Sequence, residues 1–293
     1  MAWDLPDTIS IRDVGPRDGL QPELPVTVAD RLALIAALVD AGVADVEAAA
    51  FVSPRAVPAM AGASDLFRAI ERDEHVRYWA LVPNVKGAEL AVGAGVDGLT
   101  VTVSASESYS QKNVKMSVEE SVAQIGPIAD VAGSRPVDVV VSCAFGSPYD
   151  GEDVGAFDVA AIVDAAQDAG ATAITLADTT GVATPDRIAD VIATTGIDVR
   201  LHLHDTRGTA LVNAFAAMTL GVSAFDTAVG GLGGSPFAEG AGGNLATEDL
   251  VHLCDGLGLD TGIDLDRMVR TAKTVSALIG RPVPSRITAT LGR

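Results

Sequence analysis

The stretch VRLHLHDTRGTALVNAFAAMTLGVSAFDTA, residues 199–228, contains one complete strand–helix–strand unit. Apolar and polar residues alternate from Val199 to His204, which predicts a β-strand. The Ala- and Leu-rich run Thr209–Leu220 predicts a helix that ends at the following glycine, since glycine readily adopts the left-handed conformation of a helix C-cap. A second strand is predicted at Ala224–Ala228. This unit indicates parallel strands covered by helices.

The same unit recurs along the whole chain. The predicted strands are Ile9–Val14, Asp45–Ala49, Tyr78–Val82, Gly98–Val103, Val137–Ser142, Ala173–Ala177, Val199–His204 and Ala224–Ala228. The predicted helices are Val28–Asp40, Ser64–Arg72, Lys86–Val92, Val118–Val131, Val154–Asp168, Pro185–Ala193, Thr209–Leu220 and Thr247–Gly256, followed by a tail helix at Asp264–Ile279. Eight such units without internal linkers predict an α/β fold, a closed (β/α)8 TIM barrel rather than an open doubly wound sheet.

We expect one catalytic domain over residues 1–293, with the barrel at about 9–258 and a C-terminal helical extension at about 259–293. The sequence has no G-x-G-x-x-G motif after its first strand and no phosphate-binding G-x-x-x-x-G-K-S/T motif, so nothing favours a nucleotide-binding fold.

Composition restricts the partners of the chain. A net charge of −19 argues against nucleic acid and anionic membranes as partners. No apolar run is long enough for a membrane span, and the N-terminus lacks a secretory signal pattern, so we expect a soluble, cytoplasmic protein. The two cysteines, Cys143 and Cys254, are too few for a disulfide framework and are expected to be buried, reduced thiols.

His202 and His204 are half of the four histidines in the chain. Residues two apart on a strand point to the same side, so the two imidazoles form a natural pair of metal ligands. The alternative is that one histidine is a hydrogen-bonded core residue and the other lies at the surface.

Polar residues gather at the predicted carboxyl ends of the strands, where the active sites of TIM barrels lie. The first strand is followed by Gly15–Gln21, the second contains Glu47, the sixth leads to Asp178–Gly181, and the eighth runs into the glycine-rich stretch Gly230–Asn244. Charged groups in apolar strands are costly to bury unless they are paired or bound to metal. Their concentration at one end of the barrel therefore predicts a site there.

The motifs in these segments resemble those of one enzyme family. The stretches are VGPRDGLQPE, FVSPRAVPAM, PNVKGAELAV, SCAFGSPYDG, LADTTGVATP, LHLHDTRGTALVNAFAAMTLGVSAFDTAVGGLGG and GNLATEDLVHLCDGLGLDTGI. In this order, from Ile9 to about Ile263, they resemble hydroxymethylglutaryl-CoA lyase. That family belongs to the metal-dependent lyase and Claisen-condensing barrel superfamily.

The resemblance implies a divalent metal, Mg²⁺ or Mn²⁺, held by Asp18, His202, His204 and Asn244. A carboxylate, an amide oxygen and two imidazoles suit a Lewis acid that also binds substrate oxygens. Two residues have structural alternatives, because Asp18 is a candidate cap of the first helix and Asn244 of the helix near Thr247.

The implied reaction is the cleavage of 3-hydroxy-3-methylglutaryl-CoA, or a related 3-hydroxyacyl-CoA, to acetyl-CoA and a keto acid. Arg17 is expected to stabilise the enolate oxygen that forms, with a surface ion pair as the alternative. Glu47 and Asp178 resemble the supporting or proton-relay carboxylates of the family, or are structural partners of Arg17. His202 is expected to serve the reaction as a metal ligand.

The remaining expected contacts concern the acyl-CoA substrate. Gln21 is expected to hydrogen-bond the substrate or to cap its own loop. Lys86, Lys112 and Lys115 are candidate contacts of the CoA phosphates, with solvated lysines as the alternative. The resemblance also makes a homodimer plausible.

The sequence departs from the family at a few positions. Where these lyases carry a cysteine that transfers protons in the glycine-rich loop, this chain has Ser235, and a second family cysteine is replaced by Ser147. Polar positions after the strand-two glutamate are Ala48, Ala49 and Ala50. A serine hydroxyl is a poorer acid than a thiol. The alternatives are therefore a lyase with another 3-hydroxyacyl-CoA substrate, a Claisen-type condensing enzyme, and a catalytically impaired acyl-CoA-binding relative.

Overall fold

The computed structural model describes residues 3–149, 153–234 and 242–291. Eight parallel strands form a closed barrel in which each strand pairs with the next in sequence and β1 pairs with β8. The strands are β1 Ser10–Asp13, β2 Asp45–Ala50, β3 Arg77–Leu81, β4 Gly98–Ser104, β5 Val137–Ser142, β6 Ala173–Asp178, β7 Arg200–Leu203 and β8 Ala224–Thr227. The predicted (β/α)8 barrel is confirmed.

Helices surround this barrel. They are α1 Val28–Asp40, α2 Ala63–Ala69, α3 Val85–Ala94, α4 Glu107–Asn113, α5 Val118–Ala123, α6 Ile125–Ala132, α7 Ala156–Asp168, α8 Pro185–Thr195, α9 Ala210–Thr219, α10 Thr247–Leu257, α11 Leu265–Ile279 and α12 Arg286–Leu291. Thr27 and Ser117 begin α1 and α5 with reciprocal capping boxes. The helix C-termini at Gly95 and Gly221 have the positive φ that glycine permits.

The predicted helix Val118–Val131 is wrong as a single element. The structure divides it at Gln124 into α5 and α6. Pro127 explains the division, because proline has no N–H and disrupts a helix interior, whereas it is tolerated in a first helical turn. Ending α5 at Ala123 leaves Pro127 within the first turn of α6.

The C-terminal helices lie against the outside of the barrel. Asp264 caps α11, and Arg267 of this helix donates hydrogen bonds to Asp40 at the end of α1. Asp249 of α10 accepts hydrogen bonds from the backbone N–H groups of Arg286 and Ile287, which satisfies the exposed N-terminus of α12. The predicted tail helix is confirmed.

The core consists of branched and small apolar side chains between the barrel and its helices. Cys143 and Cys254 are buried and are not joined by a disulfide, as predicted. No helix in the described parts of the chain is both long and apolar enough to cross a membrane.

Candidate active site

A tight turn after β1 places Arg17 and Asp18 at the carboxyl ends of the strands, which we call the barrel mouth. Residues Gly15–Gly19 form a single turn of π-helix with Pro16 at its start. The turn packs closely against the rest of the barrel, since a Cβ on Gly15 would lie 2.7 Å from Asp13 Oδ1 and 2.8 Å from Val229 Cγ1. Asp18 therefore belongs to this turn and does not cap α1, which Thr27 caps.

Arg17 is buried between two carboxylates. Its Nε lies 2.5 Å from Glu47 Oε2, and its Nη1 lies 2.5 Å from Asp18 Oδ1. Burial alone would lower the pKa of Arg17, but the charges of Glu47 and Asp18 raise it above its ordinary value. The side chain is 10% exposed, so the alternative of a surface ion pair is wrong.

Glu47 reaches Arg17 from an irregular position in β2. The pairing of β2 with β3 shifts register between Glu47 and Ala49, which is a β-bulge. The buried guanidinium of Arg31 donates a hydrogen bond to the carbonyl of Ala48 at 3.2 Å and so stabilises the bulge. Among the described residues, Glu47 Oε1 has no hydrogen-bond partner.

His202 and His204 converge in the barrel mouth. Their Nε2 atoms lie 3.3 Å apart, and His202 Nε2 lies 4.0 Å from Asp18 Oδ2. Strand β7 ends at Leu203, one residue before the predicted end, but the two rings still point to one place. Both histidines are buried, so the alternative that one of them lies at the surface is wrong.

Asn244 completes this group. It forms an isolated antiparallel bridge with His204, and its Nδ2 donates hydrogen bonds to Asp18 Oδ2 at 2.8 Å and to the carbonyl of Leu232 at 2.7 Å. The N-cap of α10 is Ala246, so Asn244 does not cap that helix.

The donor atoms at this place suit a divalent metal. One ligand atom each from Asp18, His202 and His204 lies within 4.8 Å of the others. Burial and the neighbouring His202 lower the pKa of His204 to about 4, which leaves a neutral imidazole available as a ligand. Burial would raise the pKa of Asp18, but Arg17 and His202 hold it below its ordinary value. A carboxylate, neutral imidazole and the Asn244 amide fit Mg²⁺ or Mn²⁺.

Asp178 lies at the end of β6 and is not the partner of Arg17. Its carboxylate accepts hydrogen bonds from the backbone N–H groups of Val182 at 2.8 Å and Ala183 at 3.2 Å. Burial raises the pKa of Asp178 to about 6. Glu47 and Asp178 were the two candidate structural partners of Arg17, and Glu47 is the one that contacts it.

A cavity of about 570 Å³ opens at the barrel mouth. Arg17, Asp18, His202 and His204 lie on its wall, and Gln21 lines it as well. The site residues predicted from the sequence did not include several residues of the cavity wall. Among these are Asn84, Thr102, Tyr109, Asn113 and Thr179. Asn84 and Thr179 each lie two residues beyond the end of a predicted strand, and that position was the signal that would have identified them.

The three lysines predicted to contact CoA lie outside the residues that line this cavity. Lys86 is exposed and pairs with Glu89 at 2.9 Å. Lys112 lies 3.7 Å from the centre of the Tyr149 ring, and Lys115 donates a hydrogen bond to the carbonyl of Lys112. Asn113, which follows Lys112, does line the cavity. Contact of these lysines with CoA stays a prediction.

The structure describes one of the two serines that stand at family cysteine positions. Ser235, predicted to be catalytic, lies outside the described residues. Ser147 is half-buried, and its Oγ lies 3.2 Å from Ser106 Oγ. Ala48, Ala49 and Ala50 are all buried.

Sequence reasoning also missed a charged layer beneath the histidines. Asp226 of β8 lies with Oδ2 3.3 Å from His202 Nδ1 and pairs with Arg12 of β1 at 2.8 Å. Burial would raise the pKa of Asp226, but Arg12 and the bond to His202 hold it far below its ordinary value. The available signal was the presence of Arg12 and Asp226 within predicted barrel strands, whose interiors are usually apolar.

Together the fold and the site define a TIM-barrel protein with a candidate divalent-metal site at the barrel mouth. The family model described as HMGL-like matches residues 8–275, and the chain belongs to this family.

Three relatives cover nearly the whole chain. A 3-hydroxy-3-isohexenylglutaryl-CoA/hydroxy-methylglutaryl-CoA lyase of Pseudomonas aeruginosa is 40% identical over 97% of this chain and 97% of its own length. An (R)-citramalyl-CoA lyase of Chloroflexus aurantiacus is 42% identical over 96% of this chain and 94% of its own length. The solved structure of an HMG-CoA lyase from Acinetobacter baumannii, in complex with coenzyme A and 3-methylmalate, is 38% identical, with a TM-score of 0.92 over 98% of this chain and 96% of that chain.

Proposed function

We propose that the protein is a metal-dependent carbon–carbon lyase. It cleaves 3-hydroxy-3-methylglutaryl-CoA, or a related 3-hydroxyacyl-CoA, to acetyl-CoA and a keto acid. The observation that carries this proposal is the placement of Arg17 next to the candidate metal ligands. Its guanidinium bonds Asp18 at 2.5 Å, while Asp18, His202 and His204 bring their ligand atoms within 4.8 Å of one another.

The reaction needs negative charge to be stabilised on a thioester oxygen while a hydroxyl loses its proton. Arg17 is suited to the first task, because its guanidinium has five N–H donors and the bonds to Glu47 and Asp18 occupy two of them. Glu47 fixes the orientation of Arg17 toward the cavity. When bound, a divalent metal would act as a Lewis acid and lower the pKa of the substrate hydroxyl.

Proton transfers complete the reaction. Asp178 is our candidate carboxylate in the proton relay, since its raised pKa of about 6 is close to neutral pH. Ser235 occupies the sequence position at which the resemblance implies a cysteine, and we propose that it positions a proton donor for the product enolate.

The names of the relatives support an acyl-CoA substrate. These relatives are named as lyases of 3-hydroxy-3-isohexenylglutaryl-CoA, hydroxymethylglutaryl-CoA and (R)-citramalyl-CoA. The relative from Chloroflexus makes citramalyl-CoA a second candidate substrate. We propose Gln21 as a substrate contact, and Lys86, Lys112 and Lys115 as contacts of the CoA phosphates. Formation of a homodimer stays a prediction.

A coupled assay of acetyl-CoA release tests the proposal. The purified full chain is supplied with Mg²⁺ or Mn²⁺ and with hydroxymethylglutaryl-CoA, 3-hydroxy-3-isohexenylglutaryl-CoA or (R)-citramalyl-CoA. We expect metal-dependent turnover of at least one thioester, and the preferred thioester identifies the substrate. No turnover across the panel with either metal would contradict the proposal.

The substitution Ser235→Cys tests the consequence of having serine where the family has a cysteine. If the chain lacks an efficient acid for hydroxymethylglutaryl-CoA, the variant should cleave this substrate at least about 10-fold faster, because a thiol transfers protons more readily than a hydroxyl at neutral pH. An unchanged rate would show that proton donation by this residue does not limit turnover. Ser147→Cys is the matched control.

A further inference from the structure

A layer of charged side chains lies inside the barrel, beneath the two histidines. Arg12, Asp138 and Asp226 come from β1, β5 and β8, and each is at most 2% exposed. The interior of a TIM barrel is usually filled by branched apolar residues, and burial costs several kcal/mol for each ion before pairing. Three buried ions at this depth therefore call for a role beyond packing.

The layer is connected by short bonds. Arg12 donates to both oxygens of Asp226, from Nε at 2.8 Å and from Nη2 at 2.9 Å. The same Nη2 lies 2.7 Å from Asp138 Oδ2. A planar guanidinium fixes the plane of a carboxylate when it donates hydrogen bonds to both of its oxygens. Arg12 thus determines the orientation of Asp226.

Asp226 connects the layer to the candidate metal site. Its Oδ2 lies 3.3 Å from His202 Nδ1, on the side of the ring opposite Nε2. A carboxylate held by an arginine only accepts hydrogen bonds, so Nδ1 of His202 must carry the proton. His202 Nε2 then presents a lone pair toward Asp18 and His204, at the place where a metal ligand is required.

We propose that Asp226, oriented by Arg12, is a positioning residue that fixes the tautomer and ring orientation of His202 for metal binding. The inference rests on the proposed metal-dependent function. Groups that orient a ligating histidine in this way change metal affinity by about 10- to 100-fold when they are altered.

Metal affinity of two isosteric variants tests the inference. Asp226→Asn removes the carboxylate that faces His202, whereas Asp138→Asn removes the other carboxylate of Arg12 and leaves the contact with His202 intact. We expect the Kd of the full chain for Mn²⁺, measured by titration calorimetry, to rise by about 10- to 100-fold in Asp226→Asn. In Asp138→Asn it should stay within about threefold, because the ring of His202 keeps its partner.

A measurement on the unaltered chain covers the case in which a variant does not fold. The chain has four histidines, so their ring nitrogens can be assigned by long-range ¹H–¹⁵N correlation spectra. At a pH at which His202 is neutral, we expect the metal-free protein to hold the ring proton on Nδ1. A neutral ring with its proton on Nε2, wild-type affinity in Asp226→Asn, or equal weakening by both variants would overturn the inference. Failure of the unaltered chain to bind Mn²⁺ or Mg²⁺ would overturn the proposed metal site itself.

Discussion

At the scale of single residues, Arg17 derives its orientation from two carboxylates on different elements. Glu47 holds Nε from the bulge of β2, and Asp18 holds Nη1 from the turn after β1. Lysine carries all its donors on one ammonium nitrogen at the end of a flexible chain, so it does not reproduce two contacts made from separate nitrogens of a planar fork. The directed donors of Arg17 are therefore a specific requirement of this site.

We expect Arg17→Lys to lower kcat for acetyl-CoA release by about 100-fold or more, since oriented donors to a developing oxyanion contribute this much. The matched control is Arg77→Lys, at the start of β3 and 57% exposed, where kcat should not change. A kcat of Arg17→Lys within threefold of wild type would contradict the assigned role.

Asp13 is a buried carboxyl that links pH to stability. Burial raises its pKa from 3.8 to about 7, although hydrogen bonds from Thr247 and Gly15 oppose the shift. The unfolded chain releases this proton near pH 4 and the folded chain near pH 7. The free energy of unfolding therefore falls as pH rises across this window, by up to about 1.4 kcal/mol per pH unit from this group.

The substitution Asp13→Asn should remove this contribution. In urea unfolding from pH 4.5 to 7.5, we expect the stability of the variant relative to wild type to increase with pH. Glu248 faces the same region and its pKa is also raised, so a smaller slope should persist in the variant. Parallel pH profiles for the two proteins would show that Asp13 is already ionised in the folded state.

At the scale of elements, the turn Gly15–Gly19 holds candidate active-site residues against the barrel. It is a single π-helical turn, a form that is rare and is frequent at functional sites. The turn presents Arg17 and Asp18 to the barrel mouth, and Gly15 lies where an added Cβ would meet Asp13 and Val229. Its geometry depends on the absence of a side chain at Gly15.

Gly15→Ala should destabilise the protein by about 1–3 kcal/mol, because the added Cβ has no space between Asp13 and Val229. Gly93→Ala is the matched control, since this glycine lies in α3 with no heavy atom within 4 Å of its added Cβ. That change should stabilise the helix by up to about 1 kcal/mol. Denaturant unfolding measures both effects, and equal stabilities for the two variants would contradict the packing argument.

Periodicity predicted the regular elements well. The helix at Val28–Asp40 and the strand at Val137–Ser142 match the structure at both ends. The short helix Glu107–Asn113 was missed, because its polar sequence has no apolar face, although Ser106 caps it. The turn Gly15–Gly19 was predicted as a loop, since local sequence does not distinguish a π-turn held by distant contacts.

At the scale of the whole molecule, barrel closure assembles the site. Asp18 follows β1, the histidines belong to β7 and its end, and Asn244 lies beyond β8. The sequence placed these residues at one mouth because the carboxyl ends of parallel strands meet there. It did not place Asp226 against His202 or Arg12, since that pairing depends on the strand register of the closed barrel.

Metal binding should stabilise the whole fold. At a metal concentration 100 times the Kd, the gain is about 2.7 kcal/mol, and EDTA should reverse it. His204→Ala should lose this gain, whereas His75→Ala, at a side chain 85% exposed, should keep it. Thermal unfolding with and without Mn²⁺ measures the difference. An equal metal-induced shift in all three proteins would place the metal elsewhere.

The hydrogen bond from Asn244 to Asp18 connects residues 226 positions apart. A ribosome that adds 5–20 residues per second needs on the order of 10 to 45 seconds to synthesise that interval. For this time the nascent chain has Asp18 without Asn244, and for most of it without His202 and His204. The candidate ligand set is therefore complete only after Asn244 has been added, and a nascent chain that stops short of this residue lacks one of the expected metal contacts.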